Sequence, residues 1–288
     1  MANVKKDDNV IILTGVGCAP FFLHGETDGP LGAASLARAV SLGIGAKPIF
    51  AVGDLDVEPV RVTAKAAGIN IEEYEIMRQL RHTGSIVAFP FGDSEAKKAA
   101  KEIVEKYSPK AVLSVETLGP NRKGVIHGAM GLPFDSAKLH YIFDEARNRG
   151  ILTIGCVDCG NEIGSGTIVE AVRKVTKYGD VCQCPCGGGI ACVTEADVTI
   201  PAACSNWGGY GVAAMLAVLV KNPDVLQDAD TERRMLEANI MAGSIDGISM
   251  RPIMVVDAMS DKTNQGLITM LHMLVENGSK EEAYMRET

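Results

Sequence analysis

The chain has 288 residues, 47% of them hydrophobic and 22% charged, with a net charge of −8 and a pI near 5.2. That length supports a sizeable buried core, and the acidic balance excludes a basic nucleic-acid footprint and a polybasic surface for anionic lipid. No run reaches the roughly 20 apolar residues of a membrane span, and residues 1–8 lack the long apolar stretch of a secretion signal. A cytoplasmic protein without nucleic-acid or membrane partners is therefore expected.

In chain order, the first strand is expected at 10–13. It leads through a turn, Gly25-Glu26-Thr27-Asp28-Gly29-Pro30, into a helix at 31–42. Strands at 48–52 and 85–89 precede helices at 59–67 and 95–106. A strand at 111–115 runs into Glu116, followed by a helix at 136–149. The next strand, 151–154, leads to Asp158-Cys159-Gly160-Asn161-Glu162-Ile163-Gly164 and a helix at 163–177. Strands are expected at 190–193 and 198–200, the latter opening into Ser205-Asn206-Trp207-Gly208-Gly209 and a helix at 208–219. A helix at 231–241, a strand at 253–256 and a helix at 265–276 complete the series, and residues 276–282 read as a solvated tail.

The strands are short apolar runs without strict alternation, as expected when both faces of a sheet are covered. Their alternation with helices predicts a three-layer α/β fold, a predominantly parallel, Rossmann-like sheet with helices on both faces. No linker or repeat divides the chain, so one domain over 1–288 is expected. In a parallel sheet the three glycine-rich polar turns, after strands 10–13, 151–154 and 198–200, all fall at the carboxyl edge. That edge is where such folds bind ligands. Helix N-termini there present free N–H groups to anions, while the acidic side chains suit a cation, an ammonium or proton transfer. A small, charged, polar ligand is the expected partner.

Several of these segments carry a resemblance. Gly25-Glu26-Thr27-Asp28-Gly29-Pro30, Val115-Glu116 with Gly119, Gly160-Asn161-Glu162-Ile163-Gly164, Ala191-Cys192-Val193-Thr194 with Ala196-Asp197, and Ser205-Asn206-Trp207-Gly208-Gly209-Tyr210 stand in this order. They resemble the D-glutamate cyclase-like C-terminal domain family, with Asp246-Gly247 and Val256-Asp257 similar to its closing motifs. The resemblance implies a lyase that closes D-glutamate to 5-oxo-D-proline with loss of water, assisted by a divalent cation such as manganese or magnesium. The chain departs from the family pattern after Glu116 and near Gly131, where the family carries arginines and Thr117, Pro120 and Met130 stand nearby here, with Arg122 close, and at Val157 and Cys159, where it carries glycines. If the arginines hold a substrate carboxylate, a different substrate is implied.

Glycine-rich placement and the resemblance together make Glu26, Asp28, Asp158 and Glu162 the candidate catalytic residues, with Asp158 and Glu162 also candidate metal ligands. Glu116, Asn161, Ser205, Asn206, Trp207 and Gly208 are the candidate substrate contacts. Crowded carboxylates raise one another's pKa values unless a cation sits among them, so either a metal site or a protonated acid results. Structural roles stand beside these: Asp28 and Glu162 also suit helix N-caps, and Trp207 suits packing at the start of its helix. Two further functions stay open, hydrolysis of a small lactam and a non-catalytic ligand- or metal-binding sensor.

Eight cysteines are present. Without a secretion signal they are expected to be reduced. Cys156-x-x-Cys159 and Cys182-x-Cys184-x-Cys186 leave three readings open: ligands to zinc or an iron–sulfur cluster, a reactive thiol with Cys159 the best placed, or buried packing. Of five histidines, His24 abuts the acidic turn and His127 is similar in character. Apolar helices leave a homo-oligomer open.

Overall fold

The computed structural model describes residues 4–284, with side chains to residue 278. In chain order the elements are β1 (Asn9–Thr14), α1 (Pro30–Ala39), β2 (Lys47–Gly53), α2 (Val57–Ala66), β3 (Asn70–Ile71), α3 (Tyr74–Met77), β4 (Thr83–Phe89), α4 (Asp93–Tyr107) and β5 (Ala111–Val115). There follow α5 (His140–Asn148), β6 (Leu152–Val157), α6 (Val169–Val175), β7 (Val198–Pro201), α7 (Ser205–Val220), α8 (Ala229–Met241), β8 (Val255–Val256), β9 (Met259–Ser260) and α9 (Asp261–Tyr284).

Strand order in the main sheet is β3-β4-β2-β1-β5-β6-β7, and every pair is parallel. Alternate residues of each strand face opposite sides. Ile11, Leu13, Ile49, Ala51 and Val112 pack against α4 and α5. Val10, Ile12, Phe50, Val52 and Leu113 pack against α1 and α2. Three layers result, as the sequence pattern predicts. A further cluster joins α1 to α7, α8 and α9 through Leu31, Tyr210, Met235 and Ile268, thickening one side with helices. The chain leaves β1 toward β2 on one side, and β5 lies on the other. The loops after β1 and β5 therefore part at a topological switch point, the ligand-binding position of such sheets.

Six of the eight expected strands lie in the sheet. Residues 190–193 do not form a strand. Their N–H groups bond to loop carbonyls instead, Ile190 to Tyr178, Cys192 to Gly160 and Val193 to Pro120. Residues 253–256 contribute only β8, which pairs antiparallel with β9 outside the main sheet. The turn between them holds Asp257 (φ 47°) and Ala258 (φ 62°) in left-handed backbone. The helix expected over 163–177 starts only at Val169. Gly164 (φ 104°) lies so close to Gly155 that a Cβ there would meet the Gly155 Cα at 2.9 Å, and the chain takes a turn fitted to β6 instead. The tail expected at 276–282 continues α9 as backbone, and its side chains beyond residue 278 lie outside those described.

Helix α7 is apolar along most of its length and packs on α1 by close backbone approach. A Cβ on Gly209 would lie 3.0 Å from the Gly32 carbonyl oxygen and 3.1 Å from the Gly32 Cα of α1. Gly211 on the same helix is exposed and has open space beside it. Gly209→Ala is expected to lower unfolding stability by about 1–3 kcal/mol through overpacking. Gly211→Ala is expected to raise it by roughly 0.5–1 kcal/mol through helix propensity alone. Urea denaturation of both variants reads the two signs; equal shifts would contradict this packing.

Candidate active site

The carboxyl edge of the sheet gathers acidic side chains from five connections. Glu26 and Asp28 follow β1, Asp56 follows β2, Glu116 follows β5, Asp158 and Glu162 follow β6, and Asp246 and Asp257 come from the segment before α9. The segments are laced together. Gly119 N–H donates to Asn161 O at 2.9 Å and Ile163 N–H to Thr117 O at 2.8 Å, joining the loops after β5 and β6. Thr27 N–H donates to Ile245 O at 3.0 Å, and Thr27 Oγ1 donates to Val255 O at 2.9 Å, tying the C-terminal segment to the first turn.

Asp28 caps a helix from a distance. Its carboxylate accepts the Ser205 and Asn206 N–H groups, both at 2.8 Å, at the start of α7. Two N–H groups that the helix leaves free are thereby satisfied by a residue from another turn. Asp28 also accepts from Gly29 N–H and the Cys204 thiol. Asn206 returns the contact. Its Oδ1 accepts from Gly29 and Gly32 N–H at 2.9 and 2.7 Å, and its Nδ2 donates to Thr27 O. Glu162 plays a local version of the same part, accepting from Cys159 N–H at 2.8 Å, Gly160 N–H at 2.7 Å and Ser165 Oγ. Ser205 Oγ donates to Glu116 Oε2 at 2.6 Å.

The other carboxylates have less support. Burial first, and then Asp257 and Asp28, push the Glu26 pKa well above the ordinary range. Burial and then Glu162 and Asp28 do the same for Glu116, and burial and then Glu116 and Glu162 for Asp158. Asp257 rises to about 7 through burial and the neighbouring Asp28. Glu116 sits at φ 46°, a left-handed conformation that costs energy for a residue with a side chain and that concentrates at functional sites.

A cavity of about 540 Å³ opens among them, within the size range of ligand sites. Glu26, Glu116, Asp257, Cys159 and Asn161 line it, and most of the remaining wall is apolar, including Val16, Phe22, Leu118 and Phe134. Among the described lining residues there is no Lys, Arg or His. Asn161 donates Nδ2–H to His127 O at 2.9 Å, while its buried Oδ1 has no partner and is free to accept from a ligand. Asp28, Glu116 and Asp158 each offer one oxygen within 4.8 Å of the others, and Asp158, Cys159 and Glu162 form a second such group. The all-carboxylate set Asp28, Glu116 and Asp158, of which Glu116 lines the cavity, fits a hard divalent cation.

Glu26, Asp28, Glu116, Asp158, Asn161 and Glu162 thus come together, with Ser205 and Asn206 directly behind them. Trp207 and Gly208 do not line the cavity. Trp207 donates Nε1–H to Asn264 Oδ1 at 2.8 Å and packs among α7 and α9, and Gly208 lets α7 approach Cys156. Burial, and then Glu162, push the Cys159 thiol up to about 12, the opposite of an activated thiolate. Cys156 is buried in β6, and neither it nor Cys159 joins Cys182, Cys184 and Cys186. Sequence reasoning misses Asp56 and gives Asp246 and Asp257 no role. Asp246 accepts from Ser249 and Ala258 N–H and so holds the turn that carries Asp257.

The family described as D-glutamate cyclase-like, C-terminal matches residues 1–272. The chain belongs to this family. Over 70 residues, 24% of the chain, it is 46% identical to the human mitochondrial D-glutamate cyclase, and that stretch makes up 10% of the human protein. Among the described residues no helix is long and apolar enough to cross a membrane.

Asp56 accepts Gly17 N–H on both oxygens at 3.1 Å, and Gly15 and Gly25 pack too tightly on it to carry side chains. Burial lifts its pKa to about 7, against about 3.9 in an unfolded chain. Between these values the folded state holds a proton that the unfolded state has lost, so stability falls as pH rises from about 4 to about 7. Asp56→Asn is expected to remove up to about 1.4 kcal/mol per pH unit of that slope. Urea midpoints of metal-free protein across this window test it; parallel lines for the two proteins would be the contrary result.

Proposed function

We propose that the chain is an enzyme that closes D-glutamate, or a close acidic analogue, to a five-membered lactam with release of water. Family membership supports the reaction class. The observation that carries the reading is a single cavity at the switch point, lined by raised carboxylates and an orphaned Asn161 acceptor and walled by apolar side chains.

Ring closure forms one N–C bond and breaks one C–O bond. The ammonium gives up two protons, and both leave on the departing oxygen as water. A set of carboxyl groups whose pKa values are pushed upward can accept one proton while donating another. Glu26, Glu116 and Asp158 would carry this exchange, with Asp257 as a further carboxyl group at the cavity wall. The unpartnered Asn161 Oδ1 and the anionic surroundings would hold the substrate ammonium. Phe21 stacks on Phe134 with centroids 5.8 Å apart, and with Phe22 they form an aromatic rim that excludes water from a reaction that releases it. Keeping both ends of the substrate together removes much of the entropic barrier to the ring.

A divalent cation, manganese or magnesium, would be held by Asp28, Glu116 and Asp158. Bound there, it would neutralise the substrate carboxylate and polarise its carbonyl, the part a cationic side chain does not fill in this cavity. The same groups open the ring in reverse. The apolar walls suit an uncharged lactam ring, which makes lactam hydrolysis the second reading.

Incubation with D-glutamate, L-glutamate and 5-oxo-D-proline, with and without manganese, followed by chiral mass-spectrometric analysis, tests the reading. Turnover is expected in one direction with the D-configured compound. Asp158→Asn and Glu116→Gln are expected to lose about 10²-fold or more of it, the scale of general acid–base catalysis. Trp207→Phe is expected to stay within a few-fold. Full activity in Asp158→Asn, or no turnover of any of these compounds by the folded protein, would overturn it.

A further inference from the structure

Two long connections around the cavity, residues 116–139 and 176–197, contain no helix or strand. Irregular stretches of this length are uncommon in compact proteins and need something besides backbone ladders to hold them. We propose that His127 from the first and Cys182, Cys184 and Cys186 from the second bind one zinc ion as a closed, tetrahedral structural site that fixes one wall of the cavity.

Four ligand atoms, His127 Nε2 and the three Sγ atoms, all lie within 4.8 Å of one another. Cys182 Sγ is 3.6 Å from Cys184 Sγ and 3.4 Å from Cys186 Sγ. His127 Nε2 is 3.2 Å from Cys184 Sγ and 3.8 Å from Cys186 Sγ. A tetrahedron with Zn–S of about 2.3 Å and Zn–N of about 2.0–2.1 Å has edges of roughly 3.5–3.8 Å. The donors therefore surround a single point. An iron–sulfur cluster spreads its thiolates over several irons and needs a wider cage.

The surroundings suit a metal ligand set. His127 is fully buried, and its Nδ1 lies 3.1 Å from Val125 O. A proton on Nδ1 donated to that carbonyl leaves the Nε2 lone pair facing the sulfurs, the usual outer support of a metal-bound histidine. Cys186 Sγ accepts from Gly188 N–H at 3.4 Å and from Asn121 Nδ2 at 3.5 Å. Such donors stabilise the negative charge of a site with three thiolates on a doubly charged ion. Gly187 (φ 61°) and Gly189 (φ 75°) turn the chain back after Cys186. Binding would release the thiol protons, one for each thiol not already ionised.

The site is tied to the cavity. Gln183, between two of the ligands, donates N–H to Gly131 O at 2.9 Å and Nε2–H to Met130 O at 2.6 Å. Met130 lines the cavity, and the carbonyl of His127 itself holds Asn161. A zinc ion here would link these cysteines to the placement of Asn161, whose unpartnered acceptor lines the cavity.

Metal analysis of the full chain purified under reducing conditions should find about one zinc per chain and no inorganic sulfide. Cobalt exchanged into the same protein should show thiolate-to-cobalt charge transfer and tetrahedral d–d absorption. Cys184→Ser should lose the zinc and melt at lower temperature, whereas Cys18→Ala, outside the cluster, should keep it. If Cys184→Ser does not fold, zinc released from the unaltered protein by a thiol-modifying reagent gives the stoichiometry directly. Protein that neither contains zinc nor takes it up when titrated, or that contains iron with sulfide, would overturn the proposal. So would zinc retained fully in folded Cys184→Ser.

Discussion

Buried negative charge without a cationic side chain is the constraint on which the rest of the site depends. Asp28, Glu116 and Glu162 are almost wholly removed from water, and the leading charged neighbours of Glu26, Glu116 and Asp158 are other carboxylates. Taking a carboxylate out of water is costly unless hydrogen bonds, a proton or a counter-ion compensates it. The structure uses hydrogen bonds for some members of the group. Asp28 accepts N–H groups from the start of α7 and Glu162 from its own turn. Glu26, Glu116 and Asp158 are left to a proton or to a cation brought by the ligand. The acidic residues therefore differ in support: Asp28 and Glu162 are well supplied with N–H donors, and Glu26, Glu116 and Asp158 are not.

The fold makes this division workable. Parallel strands deliver every turn to the same edge, and the switch point between β1 and β5 leaves room for a ligand there. Glu116 and Asp257 are both held in left-handed backbone, and both line the cavity. Backbone strain of order 1–3 kcal/mol persists only where surrounding contacts impose it. Here the bond from Ser205 to Glu116 and those from the Ser249 and Ala258 N–H groups to Asp246 supply part of that imposition.

Much of this is legible in the sequence. The central strands β1, β2 and β5 are short and buried on both faces, and six of the sheet strands show as apolar runs. Glu26, Asp28, Asp158 and Glu162 follow such runs in glycine-rich turns, and topology alone brings them to one edge. What is not legible depends on side chains meeting across loops without periodicity. Residues 190–193 have strand-like composition, but their hydrogen bonds go to loop carbonyls. Asp28 caps a helix that starts 177 residues later, a contact with no local signature. Asp56 follows β2 without a glycine-rich motif of its own, and its role comes from the glycines of other turns. His127 carries no spacing relation to the cysteines it meets. Trp207 shares a motif with Ser205 and Asn206, yet helical geometry turns it toward Asn264.

Proton release on manganese binding tests the central claim most directly. If burial and mutual repulsion keep protons on Glu26, Glu116 and Asp158 when no metal is present, a divalent cation must displace them. Calorimetric titration near pH 6 in buffers of different ionisation enthalpy should then give about one or more protons released per manganese bound. Binding without proton release, or no binding by the folded protein, would contradict it.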